Sequence, residues 1–256
     1  MRKDLYLDLY QKEGSYWWHV GRRKLAFALL QKYVFNSRLK NPIMDAGCGT
    51  GGNMEVLQTF GQVYGVDKEA AALSFCRQRG LTNLYLADIT KTLPFADNYF
   101  SLLTSFDMLE HVEDDKKALQ EFYRVLKPGG TLFLTVPAHR FLWSKWDEVC
   151  GHKRRYQRQE LRQKVESAGF NVVRLSPANF FIFLPAVFIR KLKEMLIPAK
   201  ESYSTDFMPV PDFANNFLIS VYKVEAKLIR NLNLPIGLSY IVLAKKGKSE
   251  IIDLPN

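Results

Sequence analysis

A cluster of glycines follows an acidic residue in the first apolar segment of the chain, and a second acidic residue follows about twenty positions later. The stretch "NPIMDAGCGTGGN" covers residues 41 to 53 and places Asp45 before four glycines within 47–52. Glycine loses much backbone entropy on folding, so clustered glycines indicate a sharp turn or a closely approaching ligand. Asp67 stands where a carboxylate can accept hydrogen bonds from the two hydroxyls of a ribose.

The loop is predicted to bind a nucleoside-like ligand, and its sequence gives no strong indication of a bound phosphate. A triphosphate-binding loop needs Lys and then Ser or Thr after its last glycine, whereas Asn53 and Met54 follow here. The expected ligand site is therefore a glycine loop with an acidic residue on the next strand.

Short apolar runs that alternate with amphipathic stretches must position these residues. The predicted strands are 42–49, 62–68, 84–89, 100–109, 131–138, 171–176 and 238–246. The predicted helices include 52–60, 69–80, 114–130 and 158–170. This alternation predicts an α/β fold with a mostly parallel sheet covered on both faces, and ligands then bind at the carboxyl ends of the strands.

Composition limits the class of protein. The chain has 256 residues, of which 47% are hydrophobic, enough for an ordinary buried core. Its three cysteines have no metal-type spacing, and we expect them to act as small packing residues. The first residues lack the apolar core of a signal peptide, and no clean membrane-spanning run occurs. We therefore expect a cytoplasmic protein.

Several motifs, taken in order, resemble those of the class I S-adenosylmethionine-dependent methyltransferases of the small-molecule type. They are "DAGCGTG", Asp67, Asp88 in "LADI", and "VLKPGGTLFLTVP", and the match covers roughly residues 40 to 175. The N-terminal "SYWWHVGRRK" resembles the ubiquinone O-methyltransferases. The resemblance implies a Rossmann-like sheet of seven strands. It divides the chain into an N-terminal helical cap (1–40), a cofactor-binding core (41–177), an apolar and basic insertion (178–236), and a final strand with tail (237–256).

The resemblance also implies the residues that hold S-adenosylmethionine (SAM) and its product S-adenosylhomocysteine (SAH). Asp45 would lie near the amino group of the methionine moiety, Asp67 would hold the ribose, and Asp88 with Ile89 would hold the adenine. An arginine at 22 or 23 would meet the carboxylate. Trp17 and Trp18 would either cover the cofactor or anchor the core. The full implied set is Asp45, Ala46, Gly47, Cys48, Gly49, Gly51, Asn53, Asp67, Lys68, Asp88, Ile89 and Phe106.

Two histidines are the candidate catalytic groups. Methyl transfer to a hydroxyl requires alignment and a base, and His111 and His152 follow the fourth and fifth predicted strands. Some relatives bind a divalent metal through a similar cluster, which here would comprise Asp107, Glu110, His111 and His152, with Asp in place of the usual Glu. The alternative is a metal-free pocket in which His111 or His152 acts as base or as a polar pocket group. Asp114 and Asp115 are expected at a helix N-terminus.

The second half of the chain is basic and carries an apolar run. Residues 151–200 contain eleven Lys or Arg and three Asp or Glu, which gives +8 of the formal net charge of +10. "GHKRRY" is either an acceptor-side basic cluster or a solvated helix face. The run 180–189, interrupted by Pro185 and followed by Arg190, Lys191 and Lys193, is too short to span a bilayer. It suits a membrane-interface segment, a lid or a dimer contact.

The favoured function is SAM-dependent methylation of a hydroxyl on a small, glycan-linked or lipid-linked acceptor at the cytoplasmic face of a membrane. One alternative is an RNA-directed 2′-O-methyltransferase that uses the basic surface. This alternative is less favoured because no RNA-recognition module is recognisable. The other is a non-catalytic SAM-binding scaffold. The sequence leaves the oligomeric state open.

Overall fold

A seven-stranded mixed sheet organises the chain. The computed structural model describes residues 3–35, 42–196 and 210–247. The strands are β1 (Ile43–Ala46), β2 (Val63–Asp67), β3 (Leu84–Leu86), β4 (Phe100–Phe106), β5 (Leu126–Pro137), β6 (Phe170–Ala178) and β7 (Ser239–Lys246). Their order is β3-β2-β1-β4-β5-β7-β6. Only β7 runs antiparallel to its neighbours β5 and β6, so the predicted mostly parallel α/β sheet is confirmed.

Nine α-helices are found among the described residues. They are α1 (Lys3–Lys12), α2 (Trp17–Tyr33), α3 (Gly52–Leu57), α4 (Ala70–Gln78), α5 (Asp115–Val125), α6 (Lys145–Cys150), α7 (Arg158–Ser167), α8 (Phe183–Leu196) and α9 (Asp212–Ile229). Short 3₁₀ turns cover Leu109–His111 and Arg140–Leu142. None of these helices has the length and apolar character that crossing a bilayer requires.

Successive residues of the central strands face opposite layers of the core, as the alternation of side chains in a strand requires. Met44 of β1 belongs to the cluster formed with α5 and α7, and Ile43 belongs to the cluster formed with α2, α3, α4 and α9. Both side chains are fully buried. The sheet therefore lies between two layers of helices. The helices cover its two faces and leave the ends of its strands accessible.

The expected helix 114–130 ends earlier than predicted. α5 stops at Val125, and Leu126 already pairs with Phe100 of β4. Pro128 disfavours helical geometry at Lys127, so the chain turns extended before the proline instead of after it. The N-terminal assignment is confirmed, because the carboxylate of Asp114 accepts a hydrogen bond from the backbone N–H of Lys117 at 3.0 Å.

Two helices lie within residues 178–236. Pro185 does not interrupt the apolar run, because it occupies the first turn of α8, where its missing N–H has no intrahelical partner. α9 packs along α2 so closely that a Cβ on Gly21 would come within 2.3 Å of the Tyr222 ring. The sequence "YSTDFMPVPDFANN" (203–216) predicts a connector, of which 203–209 lie outside the described residues, and α9 begins within its second half at Asp212.

Candidate functional site

A cavity of about 870 Å³ opens at the carboxyl ends of the parallel strands. Its walls come from α1, α2, the turns after β1 to β5, and the start of β7. One part, the glycine-loop end, is formed by residues 47–50, Asp67 and Asp88 with Ile89. The other part, the histidine end, is formed by Glu110, His111 and residues 146–155. The two ends belong to one continuous space.

The glycine loop leaves β1 in a conformation that disfavours side chains. Gly47 has φ +72°, and a Cβ there would lie 2.1 Å from Cγ of Met108. Gly49 has φ +55°, with open space around its Cβ position except for Leu9 at 3.8 Å. The first glycine is thus required by backbone geometry and by packing against the protein itself. The second leaves room on the cavity side.

Asp67 is held at the end of β2 by backbone amides. Its Oδ2 accepts a hydrogen bond from the N–H of Gly49 at 3.0 Å, and its Oδ1 accepts one from the N–H of Glu69 at 3.0 Å. Burial raises the pKa of this carboxyl, and the two amide bonds act in the opposite direction. Each oxygen keeps a further lone pair for a ligand hydroxyl.

Asp45 is buried within β1 and does not line the cavity. Its Oδ1 accepts a hydrogen bond from Oγ1 of Thr104 at 2.7 Å, and its Oδ2 has no partner. Burial, with Asp67 and Glu13 nearby, raises the pKa of Asp45 to about 7. A cationic group near the loop would favour its charged form.

The N-terminal helices are fastened to the glycine loop. Oε1 of Glu13 accepts hydrogen bonds from Oγ1 of Thr50 at 2.6 Å and from Nη2 of Arg79 at 2.7 Å. The guanidinium of Arg79 also donates to the backbone oxygen of Thr50. α1 and α2 contribute Tyr6, Glu13, Trp18 and further side chains to the cavity wall. This anchoring was missed from the sequence, because Glu13 and Arg79 belong to no recognisable motif.

Arg22 links the two ends of the cavity. It forms an ion pair with Asp107, and its guanidinium lies 5.1 Å from the centre of the Trp18 ring. Burial lowers its pKa. Arg23 also lines the cavity but donates to the backbone oxygen of Glu13. Trp18 lines the cavity and also packs against the core cluster, so its core role is observed and its role over the cofactor stays a prediction.

Glu110 is a buried carboxylate without a hydrogen-bond partner. The 3₁₀ turn after β4 directs it inward, its side chain is 0% exposed, and neither oxygen has a partner among the described residues. Burial raises its pKa to about 8, although Arg22 and Arg155 favour the charged form. Such a group is costly in an apolar interior, so it points to a function in the cavity that it lines.

His152 is oriented by a buried aspartate. Its Nδ1 lies 2.8 Å from Oδ1 of Asp147, and its Nε2 lies 3.9 Å from Oε1 of Glu110. Asp147 also accepts a hydrogen bond from Nε of Arg155 at 2.8 Å. Burial alone would raise the pKa of Asp147, but the bonds from His152 and Arg155 lower it to about 2. An ionised Asp147 fixes the proton of His152 on Nδ1 and leaves Nε2 as an acceptor.

Three of the four predicted metal ligands come together. Glu110, His111 and His152 offer donor atoms within 4.8 Å of one another, and the two imidazole rings are 4.7 Å apart. Burial lowers the pKa of His111 to about 3, which keeps its ring neutral as a ligand requires. The fourth, Asp107, is instead paired with Arg22. Its backbone, at φ +48°, turns the chain out of β4.

The basic cluster "GHKRRY" is largely engaged with carboxylates. Arg155 pairs with Asp147, Arg154 lies 3.0 Å from a carboxylate oxygen of Asp115, and Lys153 pairs with the exposed Glu113. These side chains brace the loop that carries His152. Lys153 and Arg155 also line the cavity, and the acceptor-side interpretation of this cluster stays a prediction.

Most of the predicted cofactor residues line the cavity, and their contacts with a cofactor stay predictions. Those that do are Gly47, Cys48, Gly49, Asn53, Asp67, Lys68, Asp88, Ile89 and Phe106. Asp45, Ala46 and Gly51 lie behind this wall. None of the described residues between 178 and 236 lines the cavity, so the described part of that segment offers no lid. The sequence alone did not reveal Asp147, whose role depends on its contact with His152.

Comparison with known proteins finds methyltransferases. A family model described as a methyltransferase domain matches residues 44–134. A probable S-adenosylmethionine-dependent methyltransferase from Mycolicibacterium smegmatis is 28% identical over 138 residues, which make up 51% of this chain and 52% of that protein. A malonyl-[acyl-carrier protein] O-methyltransferase from Yersinia pestis is 30% identical over 43% of each chain.

Solved structures share the fold. Phosphoethanolamine N-methyltransferase 2 from Haemonchus contortus, in complex with phosphomonomethylethanolamine and SAH, superposes with a TM-score of 0.56 at 22% identity. The superposition covers 87% of this chain and 52% of that one. The chain spans about half the length of the curated relatives it matches. The motifs, the sheet and these matches agree: residues 44–134 match a methyltransferase domain, and the sheet has the Rossmann-like fold of S-adenosylmethionine-dependent methyltransferases.

Proposed function

We propose that this protein transfers the methyl group of SAM to a hydroxyl of a small or lipid-linked acceptor. The observation that carries the proposal is the single cavity that joins a glycine loop to an aspartate-oriented histidine. Binding pockets for drug-sized ligands span roughly 300–1,000 Å³. At about 870 Å³, this cavity has room for a nucleoside-sized molecule and a second small molecule side by side.

The glycine-loop end suits the cofactor. Asp67 has acceptor capacity left for ribose hydroxyls, and Asp88, whose Oδ1 is fixed by the N–H and hydroxyl of Thr90, stands beside Ile89 at the next strand end. SAM supplies a methyl carbon activated by the positive charge of its sulfonium. Arg22 and Arg23 are the cations in reach of a bound carboxylate, and both line the cavity.

The histidine end suits a hydroxyl acceptor. An alcohol must lose its proton as its oxygen attacks, so a positioned base accelerates the step by roughly 10²–10⁴-fold. Nε2 of His152 is the acceptor for that proton, because the carboxylate of Asp147 holds the other ring nitrogen at 2.8 Å. The resulting imidazolium gains charge stabilisation from the ionised carboxylate of Asp147.

Glu110, His111 and His152 also fit a divalent cation, which would polarise the acceptor oxygen. Relatives with O- and N-methyltransferase names both match the chain. The histidine base favours a hydroxyl over an amine, because a neutral amine can attack without prior removal of a proton.

The test begins with calorimetric titration of SAM and SAH. Loss of the Asp67 carboxylate in Asp67→Ala should weaken SAM binding at least about 100-fold, since two hydrogen bonds to a charged group contribute roughly 1.5–3 kcal/mol each. The matched control is Asp212→Ala, an exposed aspartate at the start of α9, which should bind as the wild type does. Equal binding by Asp67→Ala would overturn the ribose assignment.

The second arm follows methyl-labelled SAM into lipid and small-molecule extracts, with and without a chelator. His152→Ala should retain SAM binding but lose at least about 100-fold of the transfer rate. Label that resists treatment with base and is released only when ethers are cleaved would identify a methylated hydroxyl. A His152→Ala variant with full transfer activity would refute the histidine as base, and a wild type that binds no SAM would refute the whole proposal.

A further inference from the structure

The outer face of α8 is apolar. Phe181, Leu184, Phe188, Ile189 and Leu192 are all exposed, and their spacing places them along one side of the helix and its first residues. Leu184 is 74% exposed and Phe188 is 68% exposed. The opposite side of the same helix packs into the core through Phe183. We call these five exposed residues the α8 face.

α9 carries a second exposed apolar stripe. Phe213, Phe217, Val224 and Leu228 are exposed, whereas Tyr222 of the same helix is buried against the core. These four residues are the α9 stripe. An isolated exposed apolar residue is ordinary on a protein surface, but two helices that each carry a run of them mark an interaction surface.

The segment just before α8 is tied to α9. The carboxylate of Glu225 accepts hydrogen bonds from the backbone N–H groups of Phe180 at 2.9 Å and Phe181 at 3.3 Å. Glu225 is itself buried. These bonds fix the point at which the chain enters α8.

His139, two residues after β5, connects the core-facing side of α8 to the end of the sheet where the cavity opens. Its ring lies 5.3 Å from Phe141 and 5.9 Å from the buried Phe183 between ring centres. Phe141 is exposed. Pro137, the last residue of β5, lines the cavity.

Cations accompany both sets of residues. In the sequence, Arg190, Lys191 and Lys193 stand in the second half of α8, together with Glu194. On α9, Lys223 and Lys227 are exposed beside the stripe, and the one acidic residue of its second half, Glu225, is buried. Aromatic and aliphatic side chains edged with lysine and arginine suit the headgroup region of a bilayer that contains anionic lipids.

We propose that the α8 face and the α9 stripe dock the protein on the surface of an anionic lipid bilayer. The helices lie in the plane of the interface with their apolar residues among the lipid headgroups. This docking goes beyond the proposed methyl transfer and does not require it. It presents the strand-end cavity to a molecule that reaches it from the membrane.

The experiment is co-sedimentation of the full chain with vesicles of phosphatidylcholine alone and of phosphatidylcholine with phosphatidylglycerol. The wild type should bind the anionic vesicles and remain largely unbound with the neutral ones. Leu184→Ser/Phe188→Ser should weaken binding at least about tenfold, since two large apolar groups lose their lipid contacts. Lys223→Glu/Lys227→Glu should weaken binding to the anionic vesicles and leave the weak binding to neutral vesicles unchanged.

Leu86→Ser is the matched control, because it removes an exposed leucine from β3 at the opposite edge of the sheet and should bind vesicles as the wild type does. Calorimetric SAM binding of every variant separates docking from the proposed function. Absence of binding to anionic vesicles, or equal binding by Leu184→Ser/Phe188→Ser, would overturn the proposal. So would a wild-type dimer that dissociates in that variant without any vesicle binding, since a second copy would then cover the face.

Discussion

The two ends of the cavity are built by different means. At the glycine-loop end, the carboxylate of Asp67 is held by backbone amides, including one only two residues away. At the histidine end, side chains from two segments about forty residues apart meet in a buried cluster, and Glu110 has no hydrogen-bond partner there. The first end is set by local backbone geometry and the second by long-range packing of charges.

This difference has a physical consequence. Backbone amides satisfy a carboxylate wherever the loop folds correctly, so the glycine-loop end tolerates changes in distant side chains. The histidine end depends on a chain of ionised groups, in which the loss of one partner leaves another buried and uncompensated. The two ends should therefore respond differently to substitution.

The largest expected effect is at the histidine end. Arg155→Ala removes the buried guanidinium that pairs with Asp147, and we expect the free energy of unfolding to fall by about 3–5 kcal/mol. Lys153→Ala, two residues earlier, removes a cation whose partner Glu113 is exposed, and no measurable loss is expected. Urea unfolding of both variants measures the contrast. Similar losses in the two would show that the buried network does not brace this end.

An intermediate effect concerns Asp45, which is buried behind the glycine-loop end. The folded protein holds the pKa of Asp45 at about 7, above the ordinary value of 3.8, because burial disfavours its charge. The folded state therefore keeps a proton that the unfolded chain releases, and stability falls as the pH rises from about 4 to 7. Asp45→Asn removes this loss, so it should be more stable than the wild type at pH 8 by on the order of 2–4 kcal/mol.

Denaturant unfolding at pH 5 and pH 8 measures this prediction. Asn retains an oxygen that can accept the hydrogen bond from Thr104. Glu110, which burial also shifts, is present in both proteins and cancels from the comparison. Parallel pH curves for the wild type and Asp45→Asn would contradict the burial argument.

The smallest effect tests the loop backbone. Gly47 and Gly80 both have positive φ, at +72° and +77°, but only Gly47 has a neighbour, the side chain of Met108, within reach of an added Cβ. Gly80→Ala should cost about 1 kcal/mol of backbone strain, and Gly47→Ala about 1–3 kcal/mol more. Thermal and denaturant unfolding give the difference. Equal costs would mean that Met108 moves away freely and that packing does not shape the loop.

The sequence predicted the sheet and most of the glycine-loop end because their signals are local. Apolar periodicity marks each strand, and the loop, Asp67 and Asp88 follow strands directly, so parallel pairing brings them to one edge. The errors fell at element ends. α5 ended before Pro128, and β4 ended at Phe106 so that the following turn could direct Glu110 inward.

The sequence by itself determined the fold family, the loop and the acidic residues at the strand ends, because these depend on residue types at fixed short spacing. Only the tertiary structure decided that Asp107 pairs with Arg22, that Asp147 orients His152, and that the outer side of α8 stays uncovered. Contacts between residues far apart in the chain depend on how helices and loops pack against the sheet. That packing is a sum of many weak, distant interactions, which no short motif records.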